Sequence, residues 1–596
     1  MKRYIFILIA IALFTSCEDF LDTENLTQKT TENFPETEKE ANEMLTAIYA
    51  NLLFTSPETS SQYYISQLAG DDCLGGNLSF SGNCATNFLM YKDNLNLFGG
   101  IWSRNYKLIH RANNTMNSLE KVKSWSSEEE RLRHYGEAHF LRAFAYYELA
   151  QVFGGVPIRT TIEATNIPRN TVDEVYELIA SDLKNAIEMT PDRIYPAGSD
   201  MAGHATKYAA EAMMARVFLF YTGRYDKTEL PGGITKSQVI TWIDDCVNNS
   251  GHKLVSDQRN LWGYTNPYSQ DNTAGHKYNY VVEHGLKWVG NGSEETVFAN
   301  KHKLKGNSWT YTWYSNTVAQ YFSPSQDNYS NIQSYPFGTG WGAGPASPAM
   351  IEEWKMWAKQ QTYLKENATD PRLSGSVWSY RALDPNNKGN VIFDRRLDPN
   401  EPDYTVSYRY FEQTGYHQKK YININSYQSG SFYSFSLQMY PGETEMTSVS
   451  LTNMTDLIHI RFADVLLMQS ELKGDAGGLN KVRERSGLAP VSYSLEAIKN
   501  ERRYELAFEG LRWWDILRWS GPSLEEAGNL LNKQIGFTLI NAAEEVSMVN
   551  FDYKARLKQT EGYWPIPQTE IDLTQGVIEQ NPGWDPSAQF TDWNNL

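Results

Sequence analysis

Alternating aromatic residues mark the stretch NSWTYTWYSN, residues 307–316. If this stretch is extended, Trp309, Tyr311 and Trp313 share one face at intervals of about 7 Å, because side chains alternate along a strand. A flat ring stacks on the apolar C–H face of a pyranose, while Asn, Asp or Arg side chains bind its hydroxyls. The spacing therefore predicts a strip that binds successive residues of a glycan chain. The alternative is that these rings pack on the core.

A second candidate is the loop GGNLSFSGNCATNFLMYKDN, from Gly75 to Asn94. Its side chains Asn77, Phe80 and Asn83 would face a ligand if Cys73 and Cys84 formed a disulfide in an oxidising compartment. Such a bridge would order the loop in advance and lower the entropic cost of binding.

Three further aromatic residues, Trp262, Tyr264 and Trp341, are candidate ligand contacts in the same Gly-, Asn- and Tyr-rich part of the chain. Lys301, Lys303 and Lys305 alternate just before the aromatic strip. They would meet a carboxylated or sulfated sugar, or else form a solvated strand face.

Catalytic patterns are weak in this sequence. Glu505 and Glu509 could form an acid/base couple for glycoside cleavage, but their Arg-rich surroundings favour an ion-paired scaffold. HExxH, GxSxG and phosphate-loop motifs are absent from the sequence. DPNNKGN begins like a calcium loop, but Lys388 and Arg395 occupy ligand positions, which favours a polar turn. The sequence predicts binding, with no catalytic residue, no metal and no cofactor.

The first 16 residues predict an export signal. Lys2 and Arg3 precede an apolar run from Ile5 to Phe14, which is shorter than the ~20 residues of a spanning helix. Small residues before Cys17 resemble a bacterial lipobox, which implies cleavage, acylation of Cys17 and a lipid anchor in the outer membrane. The acidic pair after Cys17 resembles an export tag, which implies a protein that faces the cell exterior.

Composition supports a large globular body behind this anchor. The formal net charge of the whole chain is -17, which argues against a nucleic-acid partner. The chain has 17 Trp and 37 Tyr, more than a core of this size needs, so some of them are expected at the surface.

Helical patterns dominate residues 17–250. Three capping boxes predict helix starts at Thr37/Glu40, Ser127/Glu130 and Thr171/Glu174. Small residues such as Ala143 and Ala212 predict close helical hairpins of the tetratricopeptide kind. Residues 251–596 begin with long loops and short strands, and helical patterns return at 457–474, 479–488 and 500–519.

The second half of the chain contains a series of motifs, namely GWGAGPASPAM, DPRL, TGYHQKKY, IRFADVLLMQSE, LNKVRERSGL, ERRYELAFEGLRWWDILRW, YWPIPQTEI and the terminal NPGW. This series resembles the SusD/RagB family of nutrient-binding lipoproteins. The resemblance implies a mainly α fold in which residues 17–250 form a tetratricopeptide-like scaffold. Residues 251–596 would carry the ligand surface and pack on that scaffold as one globular unit.

The resemblance also implies a function and a partner. The expected ligand is an oligosaccharide, and the expected partner is a SusC-like TonB-dependent outer-membrane transporter. Two alternatives remain open, a peptide-binding protein of the RagB kind and a surface glycosidase.

Overall fold

The computed structural model describes most of the chain after the predicted signal. It describes residues 29, 33–53, 61–73, 95–96, 98–162, 166–270, 277–303, 314–323, 336–338, 340–384, 386–387, 389–405, 414–428, 431–434, 453–533, 538–541, 544–547 and 552–584. The predicted signal and Cys17 lie outside these residues. No helix in these ranges is long and apolar enough to cross a membrane.

Helices form most of the described structure, which confirms the predicted mainly α class. The helices are α1 Glu38–Tyr49, α2 Gln62–Ala69, α3 Gly99–Ser118, α4 Glu128–Phe153, α5 Val172–Met189, α6 Lys207–Tyr225, α7 Lys236–Asn249, α8 Asn279–Glu283, α9 Val318–Phe322, α10 Pro348–Lys359, α11 Pro371–Ser376, α12 Phe462–Lys473, α13 Gly477–Arg485, α14 Leu495–Glu505, α15 Arg512–Ser520, α16 Glu525–Asn532, α17 Tyr553–Gln559 and α18 Gln568–Leu573.

The strands are short and pair locally. They are β1 Thr296–Asn300, β2 Val377–Ser379, β3 Arg381–Leu383, β4 Val391–Asp394, β5 Asp403–Thr405, β6 Tyr416–Gln418, β7 Asn425–Gln428, β8 Ser431–Ser434, β9 Leu457–Arg461, β10 Thr538–Asn541 and β11 Glu544–Ser547. Most form two-stranded antiparallel pairs, and β3 pairs with β4 on one side and with β5 in parallel on the other.

Successive helices from α3 to α7 pack each on the next, as stacked hairpins do. Ala143 and Ala212 are fully buried in this stack, as predicted. From the second half of the chain, α15 packs on α6 and α12 packs on α7. One hydrophobic core therefore runs from Leu45 to Trp584.

The capping boxes at Thr37 and Thr171 are confirmed, with both reciprocal bonds present. The box predicted at Ser127 has only one of its two hydrogen bonds. Ser127 accepts from the backbone N–H of Glu130, but the Glu130 carboxylate accepts from Arg133 and Arg193 instead of turning back to the cap.

Two of the predicted helical stretches are interrupted. The stretch 457–474 begins as β9, which pairs with β1, and turns helical only at Phe462. The stretch 500–519 breaks between α14 and α15, where Phe508 and Gly510 have positive φ. The hydroxyl of Tyr63 donates to the carbonyl of Phe508 at 2.7 Å, and a Cβ on Gly510 would lie 2.5 Å from the Tyr63 ring. The break therefore makes room for α2.

Ten buried charges form a central charge cluster between the C-terminal helices and the loops. Arg461 donates to Glu295, Glu505 and Glu509 at 2.7 Å each. The cluster consists of Glu295, Asp370, Glu501, Glu505 and Glu509 with Arg372, Lys420, Arg461, Arg483 and Arg485. Five carboxylates face five cations, so the cluster is formally neutral.

Ion pairs in this cluster determine the pKa of Glu505. Burial alone would raise the pKa of Glu505, but Arg485, Arg461 and Arg372 hold that pKa well below its usual value. The ion-paired scaffold predicted for Glu505 and Glu509 is confirmed by these contacts.

We expect Glu505→Gln to lower the free energy of unfolding by about 3–5 kcal/mol, because it leaves buried guanidinium groups without their counter-charge. Glu525→Gln is the matched control, since Glu525 pairs with Lys554 and Lys558 at the exposed surface. Urea unfolding of both variants measures the difference. Equal midpoints for the two variants would contradict the central role of Glu505.

Candidate functional site

The described part of the candidate site consists of residues that flank two long segments of the chain. We call residues 314–323, 336–338, 340–346 and 414–425 the loop platform. Segments 304–313 and 324–335, which lie outside the described residues, begin or end at its edges. The predicted strip Trp309, Tyr311 and Trp313 falls in the first of these segments. The roles of these three residues and of Lys305 in ligand binding therefore stay predictions.

Hydrogen bonds hold the residues at both ends of these segments in place. The N–H of Lys303 donates to the carbonyl of Tyr314 at 2.9 Å, so the chain leaves and returns at one place around 304–313. The ends of 324–335 both meet Asn423, whose N–H donates to the Ser323 hydroxyl at 2.6 Å and whose carbonyl accepts from Gly338 at 2.7 Å. These bonds therefore fix the positions of the residues that flank each segment.

The second predicted loop, with Asn77, Phe80, Asn83 and Cys84, also lies outside the described residues. Its N-terminal end is fixed by two acids next to Cys73. Arg512 donates to both carboxylate oxygens of Asp71 at 2.7 and 2.8 Å, and Arg503 donates to Asp72 at 3.0 Å.

Cys73 itself is buried and carries a free thiol, whose pKa is raised well above its usual value by burial. It forms an isolated β-bridge with Ala346 of the platform. Cys84 lies outside the described residues, so the bridge from Cys73 to Cys84 stays a prediction.

Trp341 is the predicted ligand residue that the platform carries. It is half-buried, and its ring meets Tyr321 edge-on with centroids 4.5 Å apart. Its backbone N–H donates to Gln320 at 2.9 Å, which fixes the GWG turn on helix α9. The role of Trp341 as a ligand contact stays a prediction.

Trp262 and Tyr264 disagree with their predicted role as ligand contacts, because the structure buries both. Trp262 is 2% exposed, and the ammonium group of Lys420 lies 5.0 Å from its ring centroid. Tyr264 is 0% exposed, and its hydroxyl donates to the Gly375 carbonyl at 2.7 Å. Neither ring has a free face for a sugar.

A second buried lysine of the platform, Lys419, lies among three tyrosine rings. Lys419 lies 3.7 Å from the Tyr280 ring centroid and 5.4 Å from those of Tyr264 and Tyr278. It also pairs with the buried carboxylate of Glu401. These tyrosines hold the platform in place by cation–π contacts.

One of the two described lysines of the predicted basic patch forms an ion pair within the chain. Lys301 pairs with Asp456 at 2.6 Å, whereas Lys303 is exposed. Asp456 also accepts from the backbone N–H of Gly292 at 2.8 Å. The charge of Lys301 is therefore countered within the chain.

The protein is mainly α, and its stacked helical hairpins carry loops on one face. Comparison with known proteins identifies the family to which it belongs. Residues 19–219 match a family described as "Starch-binding associating with outer membrane", and residues 264–584 match the SusD family. The chain therefore belongs to the SusD family.

Similar proteins cover nearly the whole chain. The SusD-like protein P38 of Formosa agariphila is 23% identical over 564 residues, which is 86% of this chain and 90% of that protein. Surface glycan-binding protein A from Bacteroides thetaiotaomicron, solved in complex with laminarihexaose, has a TM-score of 0.64 and 20% identity over 91% of this chain and 99% of its own. A structure described as a laminarin-binding SusD-like protein has a TM-score of 0.62 and 22% identity over 92% of this chain and 100% of its own.

The platform contains a histidine that makes its stability depend on pH. His417 in β6 is 1% exposed, and burial lowers its pKa to about 3 from 6.5. Its contribution to the free energy of unfolding is therefore present above pH 6.5 and is lost as the pH falls towards 3, because only the unfolded chain binds the proton.

We expect this loss to be about 2 kcal/mol between pH 7 and pH 5, at about 1.4 kcal/mol per pH unit below 6.5. His417→Phe keeps an aromatic ring and removes the titration, so its unfolding free energy should fall less over this range. Chemical denaturation at both pH values measures the difference. His110→Phe, at an exposed position in α3, is the control and should follow the wild type.

Proposed function

We propose that this protein captures oligosaccharides at the cell surface and passes them to a SusC-like TonB-dependent outer-membrane transporter. The observation that supports this proposal is membership of the SusD family over both halves of the chain. The platform supports it as well, because it fixes the ends of the segments that carry the predicted aromatic strip. An acylated Cys17 would anchor the protein to the outer membrane.

A glucan of the laminarin type is the first ligand to test, because two similar structures are described by that ligand class. Capture rather than cleavage is favoured by the state of the best acidic pair. A general acid must hold a proton near neutral pH, whereas the pKa of Glu505 lies well below its usual value.

Trp313→Ala and Trp309→Ala should each weaken the binding of laminarihexaose roughly 5- to 150-fold, since a stacked ring contributes about 1–3 kcal/mol. Isothermal titration measures the affinity. Trp242→Ala is the control, because Trp242 is a half-buried tryptophan on the scaffold helix α7.

Unchanged affinity in both strip variants would contradict the placement of the site. Binding of peptides instead of glycans across a panel of both would replace the glycan proposal with the peptide alternative. Release of shortened oligosaccharides by the pure protein would favour the glycosidase.

Cys17→Ala should release the protein from the membrane, because acylation at Cys17 is the proposed anchor. Fractionation of cells into membrane and soluble parts, followed by immunoblotting, measures the distribution. Ser16→Ala keeps a small residue before the cysteine and should remain in the membrane fraction. Equal membrane association of Cys17→Ala and the wild type would contradict the anchor.

A further inference from the structure

A cavity of about 60 Å³ lies where the helical scaffold meets the C-terminal helices. It is lined by α4 and α6 of the scaffold and by α14 and α15 of the second half. None of its described lining residues belongs to the loop platform. Since one water molecule requires ~10–15 Å³, the cavity has room for about four to six water-sized groups, which is the size of a small amino acid.

One side of the cavity carries a buried carboxylate with a free oxygen. Glu148 of α4 is 4% exposed, and its Oε2 accepts a hydrogen bond from Arg104. Its Oε1 accepts no hydrogen bond in the described part of the chain, yet protein atoms do not fully enclose it. Because Glu148 lines the cavity, this oxygen is available to a donor inside it.

Two guanidinium groups reach the same cavity with unused N–H donors. Arg502 of α14 is 3% exposed, and its Nε and Nη1 donate to Asp515 at 2.9 Å and to Asp464 at 2.5 Å. Nη2 of the half-buried Arg216 in α6 donates to the His459 carbonyl at 2.8 Å and also to Asp464. Within the described residues, Nη2 of Arg502 and Nη1 of Arg216 have no partner, and neither atom is fully enclosed.

The charges around the cavity are already balanced within the chain. Arg104 pairs with Glu148, Arg216 with Asp464, and Arg502 with Asp515. A ligand with one net charge would disturb this balance, whereas a ligand that carries both charges would not. Apolar side chains, among them Leu219 and Phe220, complete the lining.

A small zwitterion matches both kinds of free group. We propose that this cavity binds a small zwitterionic α-amino acid, whose ammonium group donates to Glu148 and whose carboxylate accepts from Arg216 and Arg502. This inference goes beyond glycan capture and does not depend on it.

Glycine is the first probe, added to the full chain in detergent, and isothermal titration measures its affinity. Acetate and methylamine each carry only one of its two charged groups. Each should therefore bind roughly 10- to 160-fold more weakly than glycine, the effect of losing one charge-assisted hydrogen bond.

Filling the cavity tests its location. Leu219 is a half-buried lining residue, so Leu219→Trp should occupy the space and abolish glycine binding. Leu178→Trp is the matched control, because Leu178 is a half-buried leucine of α5 that does not line the cavity. This control should bind glycine as the wild type does, and circular dichroism checks that both variants fold.

Removing the carboxylate tests the role of Glu148. Glu148→Gln keeps the shape of the side chain and should weaken glycine binding by the same factor of roughly 10 to 160. Glu188→Gln, at an exposed position of α5, should leave it unchanged. If Glu148→Gln does not fold, the series of probes on the wild type and the two tryptophan variants decide the question.

Three results would overturn the inference. If glycine does not bind the wild type, ordered water alone fills the cavity. Acetate that binds as tightly as glycine would indicate an anion site, and glycine binding that survives in Leu219→Trp would place the site elsewhere. Laminarihexaose takes no part in these measurements, so the proposed function is tested separately.

Discussion

The buried guanidinium group of Arg461 joins carboxylates from two distant parts of the chain. Glu295 precedes β1, whereas Glu505 and Glu509 lie at the end of α14 and just after it. Burying these charges is costly unless every partner is present, so the arrangement tolerates few alternatives. The cluster ties the strand pair β1–β9 to the C-terminal helices. Lys420 extends the same cluster into the loop platform through Glu509.

The geometry of the loop platform depends on buried ion pairs of this kind. Lys419 and Lys420 are adjacent, yet each enters a different buried pair and covers different aromatic rings. Both lysines belong to the loop platform, which is therefore held in place by buried ion pairs and by aromatic contacts. Other residues of the platform form hydrogen bonds at the ends of segments 304–313 and 324–335.

Local features of this fold were predictable from the sequence, and long-range ones were not. The helix starts at Thr37 and Thr171 depend on residues three apart, so the capping pattern identified them. The break at Gly510 depends on Tyr63, which lies more than 400 residues earlier, and no local pattern reveals it.

The site shows the same limit. Trp262 and Tyr264 resembled exposed stacking rings because their neighbours in sequence are polar, but the lysines that cover them come from the TGYHQKKY motif. Pairing of Glu505 was predictable because its partners are abundant in nearby motifs. The bond from Lys303 to Tyr314 also has an evolutionary consequence. This bond holds Lys303 and Tyr314 beside each other, so any sequence that replaces residues 304–313 has to start and finish at the same two neighbouring points of the frame.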